Sequence, residues 1–249
     1  MAEETKVENV SEEQPKKEKK PFLTESRLEI VTAIFLGITA LLTSWAGWIG
    51  SLHGGNQSTN YTESNNYSSL GNSEWNEASQ NMLQDMIIWN EISDLMIESL
   101  FAEEQSDDVT VEKCNWKIEQ IITDNCSEEF ADAISWAIDM SESTGESYSP
   151  FDKEGYVESY YEAAQEYLTT SEELLEEGKY DNACGDKYNL VTVIYSVVLF
   201  LLGVVGIFKN MPNRAIVLGI AIVAFLVATI YMFTIPLPTG FSILNFFGA

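Results

Sequence analysis

The chain holds a single histidine, His53, beside Gly54-Gly55. One imidazole in that position does not support a Ser–His–Asp or Cys–His relay, in which nucleophile, base and orienting group converge from separate positions. His53 reads instead as a polar residue at a membrane interface, or as a pH sensor, a use that imidazole chemistry permits near neutrality. No Walker loop, GxGxxG fingerprint or HExxH pair occurs, so no cofactor and no catalytic residue is expected. Carboxylates stand side by side at Glu103-Glu104, Asp107-Asp108, Glu128-Glu129, Glu172-Glu173 and Glu176-Glu177. Pairs repeated this often read as solvated faces rather than as acid–base couples. Asp181-Asn182-Ala183-Cys184-Gly185-Asp186 echoes a calcium loop with the wrong spacing, so the expectation is no specific metal site and, at most, diffuse screening by divalent cations.

Three cysteines, Cys114, Cys126 and Cys184, show no zinc-binding spacing. Cys114 and Cys126 flank what reads as a turn between two short helices, which makes them the expected disulfide, with Cys184 free or paired between subunits. Asn56, Asn60, Asn66 and Asn125 each begin an N-x-S/T acceptor pattern for glycosylation.

These residues must be placed by helices, and the charge distribution says where. Ile30–Leu52 carries no Asp, Glu, Lys or Arg over 23 residues, Leu190–Phe208 none over 19, and nothing charged follows Arg214. About 20 apolar residues cross a bilayer, so three spans fit. Mean hydropathy near zero averages two unlike populations: Ser51–Tyr188 holds 31 acids and five lysines, while the rest balances at eight acids and eight bases. That acidic surface excludes nucleic acid as a partner.

The expected fold class is an all-α integral membrane protein, with three transmembrane helices and an extracytoplasmic helical bundle between the first and second. The expected division is a cytoplasmic disordered arm at 1–27, spans at 28–52, 188–208 and 215–235, an acidic exterior domain at 53–187, a cytoplasmic loop at 209–214 and an outer interfacial tail at 236–249. The charged start does not read as a cleavable signal peptide. Lys16, Lys17, Lys19, Lys20 and Arg27 precede the first span, and Lys209 and Arg214 lie between the second and third. The positive-inside rule puts both groups in the cytoplasm, which leaves the C-terminus outside.

Within the first span Ala33, Gly37, Ala40, Ser44 and Gly47 form a stripe of small residues, the kind of face that lets another helix approach closely. Thr32, Thr39 and Thr43 share another face, either lining a hydrated path or bonding to carbonyls of their own helix. Gly54-Gly55 reads as a kink or break, followed by a polar stretch at Asn56–Ser73. Trp75, Ala78, Met82, Met86, Trp89, Ile92, Met96 and Leu100 then follow helical spacing. Val111–Ile122 and Glu128–Met140 read as short helices, the second capped by Ser127. From Asp152 a helix is expected to run without a proline as far as Met211, with Tyr156, Tyr160, Ala163, Tyr167, Ser171, Leu174, Gly178, Asp181, Gly185 and Tyr188 on one stripe.

Three patches carry a resemblance. They are Ala46-Gly47-Trp48 leading into Gly54-Gly55-Asn56-Gln57-Ser58, then Glu129-Phe130 through Trp136, and then Asp186-Lys187-Tyr188-Asn189-Leu190-Val191-Thr192 running into Leu199-Phe200. Together they resemble an uncharacterised family of bacterial and archaeal membrane proteins with three transmembrane helices and an extracytoplasmic helical domain between the first two. The resemblance implies architecture and no activity. The expected function is that of a non-enzymatic cell-envelope membrane protein that displays an acidic helical stalk and acts through homo-oligomerisation or a membrane partner protein. The alternatives are an oligomeric cation-permeable channel with an acidic outer vestibule, and an envelope sensor.

Overall fold

The computed structural model describes residues 24–242. It is all-helical over those residues. Five α-helices follow in order: α1 Glu25–Glu104, α2 Asp108–Asn125, α3 Glu128–Thr144, α4 Tyr156–Val205 and α5 Met211–Thr234, with one 3-10 turn at Pro150–Asp152 between α3 and α4. α1, α4 and α5 are each long and apolar enough to cross a membrane. Most of the expected arm at 1–27, and the end of the expected tail at 236–249, lie outside the described residues. The last residues of that arm are helical, because α1 already begins at Glu25.

Local chemistry sets the ends. Asp107 caps α2 by accepting from the Thr110 amide, and Ser127 caps α3 by accepting from the Phe130 amide at 3.1 Å. Gly145 closes α3 with a left-handed φ of 76°, its N–H donating to the Ser141 carbonyl. Ser149 and Asp152 form a reciprocal capping box around the 3-10 turn. α4 stops at Val205, short of the expected Met211, and Pro212 sits in the first turn of α5, where its missing N–H costs nothing.

The expected break at Gly54-Gly55 does not occur. α1 is continuous through both glycines and through the polar stretch at Asn56–Ser73. Two glycines weaken a helix by about 1 kcal/mol each, but flanking residues hold this segment from outside. His53 bonds to Asp181 of α4, and Asn56 Nδ2 reaches the Thr239 carbonyl at 3.4 Å. Thr59 and Thr62 turn their hydroxyls onto the carbonyls four residues back, so the polar side chains do not compete with the helix for backbone groups.

The chain divides into two compact units. The first comprises residues up to Gly50 together with Asp186–Pro236. Here α4 and α5 run antiparallel, with the Tyr188 hydroxyl donating to the Ile235 carbonyl and the Tyr195 hydroxyl 2.9 Å from Thr229 Oγ1. Phe35 of α1 meets Phe225 of α5 edge to face. At the other end Arg214 is buried, its guanidinium donating to Glu25 at 3.0 Å and to Glu29 at 3.4 Å.

The second unit comprises Ser51–Gly185 and the residues from Leu237. α1 and α4 lie antiparallel, and α1 turns Ser64, Gly71, Ala78, Ile92 and Ser99 inward, all in one seven-residue register. Ser64 and Ser171 exchange hydroxyl-to-carbonyl bonds at 2.8 Å in both directions. Gly71 and Gly178 allow the closest approaches: a Cβ on Gly178 would lie 2.5 Å from the Tyr61 ring, and one on Gly71 would lie 2.8 Å from Leu168. Farther along, Ile88 and Ile92 of α1 join Phe130, Ala133 and Ile134 of α3 and Tyr156 of α4 in an apolar core. α2 adds Ile118, Ile121 and Ile122 to its edge.

Candidate functional site

Two polar clusters in the second unit bind the long helices together. In the first, His53 Nδ1 lies 2.6 Å from Asp181 Oδ1, and both residues are at least 95% buried. His53 is half of a buried link between α1 and α4. A pair so enclosed costs desolvation on both sides and is kept together by its own geometry. Asp181 is likewise withdrawn from solvent, whereas Asp186, five residues on, is exposed.

The second cluster centres on Asp85, whose Oδ2 accepts from the Tyr156 hydroxyl at 2.9 Å and from the Tyr160 hydroxyl. The two phenol oxygens are 2.5 Å apart. Burial raises both phenols well above their ordinary range, and the nearby carboxylate raises them further. The phenols therefore remain donors, and the arrangement clasps α1 to α4. Sequence reasoning missed Asp85. The signal that would have found it is the seven-residue register of α1, in which Asp85 falls between Ala78 and Ile92.

The cysteines do not form the expected bridge. Cys114, Cys126 and Cys184 are all free thiols. Cys114 and Cys126 flank no turn: the helix from Asp108 to Asn125 is unbroken between them. Twelve residues at about 1.5 Å each put them some 18 Å apart along the axis, far beyond the Cα separation that a disulfide spans. Burial raises the Cys126 thiol, and Asp85 adds to the shift, so this sulfur is a poor nucleophile. Cys184 is buried. Among the acceptor asparagines, Asn56, Asn60 and Asn66 lie within α1, and Asn125 is the last residue of α2. Asn66 and Asn125 are exposed, while Asn56 and Asn60 are partly covered.

In the first unit the small-residue stripe faces away from the rest of the chain. Ala33, Gly37, Ala40 and Ser44 are exposed, and a Cβ on Gly37 or Gly47 would meet nothing within 4 Å. The face of α1 that packs within the chain is instead the one bearing Leu28, Thr39, Ala46 and Ile49. Thr32, Thr39 and Thr43 each donate to the carbonyl four residues back, at 2.8, 2.6 and 2.7 Å.

Among the concave surfaces of the second unit, one gathers apolar side chains from three helices. The end of α1, the Ile118–Ile122 face of α2 and the end of α3 border a cleft of about 560 Å³. Its walls are Met96, Leu100, Ile118, Ile122 and Ile138, and Glu103, Glu119 and Glu142 stand around them. No lysine or arginine lines it. The caps described above position it: Asp107 and Ser127 fix where α2 and α3 start, and so which faces they turn to α1. Among the described residues no group of three or more His, Cys, Asp or Glu side chains is arranged to hold a metal ion.

No family model matches the chain, and neither does any curated protein or any solved structure.

Proposed function

We propose that the protein is a non-enzymatic, multi-pass membrane anchor that displays an acidic helical stalk outside the cytoplasm and acts through self-association or a partner protein. One observation carries this reading. In the most apolar windows of α1, α4 and α5 only 11%, 33% and 28% of residues are buried within the chain. Ile30, Leu41, Val193, Phe200, Ile220 and Phe233 all point outward. In water such surface costs about 25 cal/mol per Å², whereas lipid accepts it without penalty. The bases of the arm and of the loop before α5 then favour a cytoplasmic N-terminus and an extracytoplasmic second unit. The pairing of Arg214 with Glu25 and Glu29 does not alter this, since acids weigh little in that rule. The seven-residue register between α1 and α4 is that of an antiparallel coiled coil, and a stalk built this way is stiff.

The uncovered face of Ala33, Gly37, Ala40 and Ser44 offers a place for a second copy to pack. Native mass spectrometry of the detergent-solubilised protein tests this. An oligomer is expected, with Gly37→Leu shifting it toward monomer and Leu36→Ala leaving it intact. Both residues are exposed within the chain, so neither substitution disturbs the fold of one copy. A strict monomer removes the self-association reading. The channel alternative loses support from the threonines, whose hydroxyls are already bonded within their own helix. Silence is expected in planar bilayers, and a reproducible cation current that falls with Asp186→Asn would put the channel first.

A further inference from the structure

We infer that the cleft between the ends of α1, α2 and α3 is a docking site for a cationic amphipathic helix of a partner protein. The cleft is apolar inside and acidic outside. Leu100 is 63% exposed at its edge, and Ile97 and Phe101 on the same two turns of α1 are 65% and 64% exposed. Large apolar side chains held in water next to a concave wall of Met96, Ile118 and Ile122 are the mark of an unfilled groove. An amphipathic helix fills such a groove with residues spaced i, i+3/i+4 and i+7.

Charge decides which helix. Glu103, Glu119 and Glu142 surround the groove and make no ion pair among the described residues. A second copy would bring the same three carboxylates, on a segment that carries 31 acids against five lysines, and like charges facing one another across an interface disfavour it. A helix with an apolar stripe flanked by Lys or Arg meets both requirements: its stripe covers Leu100 and the isoleucines, and its bases lie against the glutamates. The acids would also draw it in from a distance, with a rate that falls as salt rises.

This site deepens the display reading, since it is where the stalk would hold its partner, and it needs only that the second unit be solvated. The test uses the full chain in zwitterionic lipid nanodiscs, with empty nanodiscs as the blank. The ligand is a fluorescent Leu/Lys amphipathic helical peptide, followed by anisotropy. Glu103→Gln/Glu119→Gln/Glu142→Gln should weaken binding by about tenfold. Glu63→Gln/Glu172→Gln/Glu173→Gln removes the same charge beside the Ser64–Ser171 contact and should change binding by less than about twofold. Leu100→Ser, at an exposed position that does not endanger the fold, should weaken it by about fivefold. Equal losses in the two triple variants would reduce the effect to diffuse attraction and overturn the site, as would indifference to Leu100→Ser. A fall in oligomer mass with Leu100→Ser would overturn it in favour of a second copy. Failure of the display reading would appear elsewhere, as an inverted topology with peptide binding intact.

Discussion

Removing one member of the His53–Asp181 pair leaves the other buried without that contact. Asp181→Leu should therefore cost about 3–5 kcal/mol, the usual effect of breaking a buried polar pair from one side. His53→Leu combined with Asp181→Leu should cost clearly less than the two single changes added together, because both single changes lose the same contact. Denaturant melts of the four proteins, followed by circular dichroism, check the non-additivity, and strict additivity would show that the two side chains act independently. The tyrosine clasp makes a pH prediction. Tyr156 and Tyr160 hold their protons more tightly when folded than when unfolded. The stability they contribute is thus complete below the ordinary phenol value of about 10 and is lost as pH rises above it. The melting temperature should fall as pH rises above about 10, and the fall should be shallower in Tyr156→Phe. At neutral pH that variant should lose about 1 kcal/mol with the hydrogen bond to Asp85. An unchanged alkaline slope would mean that the phenols are not held as the clasp requires.

Four of the glycines that α1 and α4 carry in the second unit fall into two pairs with opposite expected signs. Gly71 and Gly178 sit where the helices nearly touch, and a Cβ there would lie 2.8 Å from Leu168 or 2.5 Å from Tyr61. Gly178→Ala should destabilise by about 1–3 kcal/mol through overpacking. Gly54 and Gly55 have nothing within 4 Å of an added Cβ. Since their segment is helical, Gly54→Ala should stabilise by about 0.8–1 kcal/mol through helix propensity. Thermal melts of the two alanine variants should therefore move in opposite directions. A destabilised Gly54→Ala would indicate that the helix is interrupted there after all. Gly54-Gly55 looked like a break because propensity was read locally, whereas the fold holds the segment through His53 and Asn56, whose partners lie 128 and 183 residues away.

At the scale of the whole molecule the decisive question is which parts meet which solvent. Single cysteines placed at Ser106 and Asn213, in a background with the native thiols replaced by alanine, report this in intact cells. Ser106 is exposed in the turn between α1 and α2, and Asn213 is exposed in the first turn of α5. An impermeant thiol reagent should label the first and spare the second. Labelling at Asn213 would overturn the three-span orientation.

Composition and spacing alone determined that three segments suit lipid, that the acids fall between the first two, and that helices dominate. They also placed Ser127 as a cap, and Tyr156, Ser171, Gly178, Asp181, Gly185 and Tyr188 on one inward stripe of α4, whereas Ala163 of the same expected stripe is exposed and Ala164 is buried. These features are legible because hydropathy, capping and helical period act over a few turns of a single chain segment. Only tertiary structure decided that α1 continues past its glycines, that Cys114 lies inside a helix whose C-cap is Cys126, and that the small stripe of α1 faces outward. Tertiary structure likewise decided that His53 finds Asp181 and that three glutamates from three helices ring an apolar cleft. Each of these depends on which face of one helix meets another far along the chain, and a local pattern carries no record of that meeting.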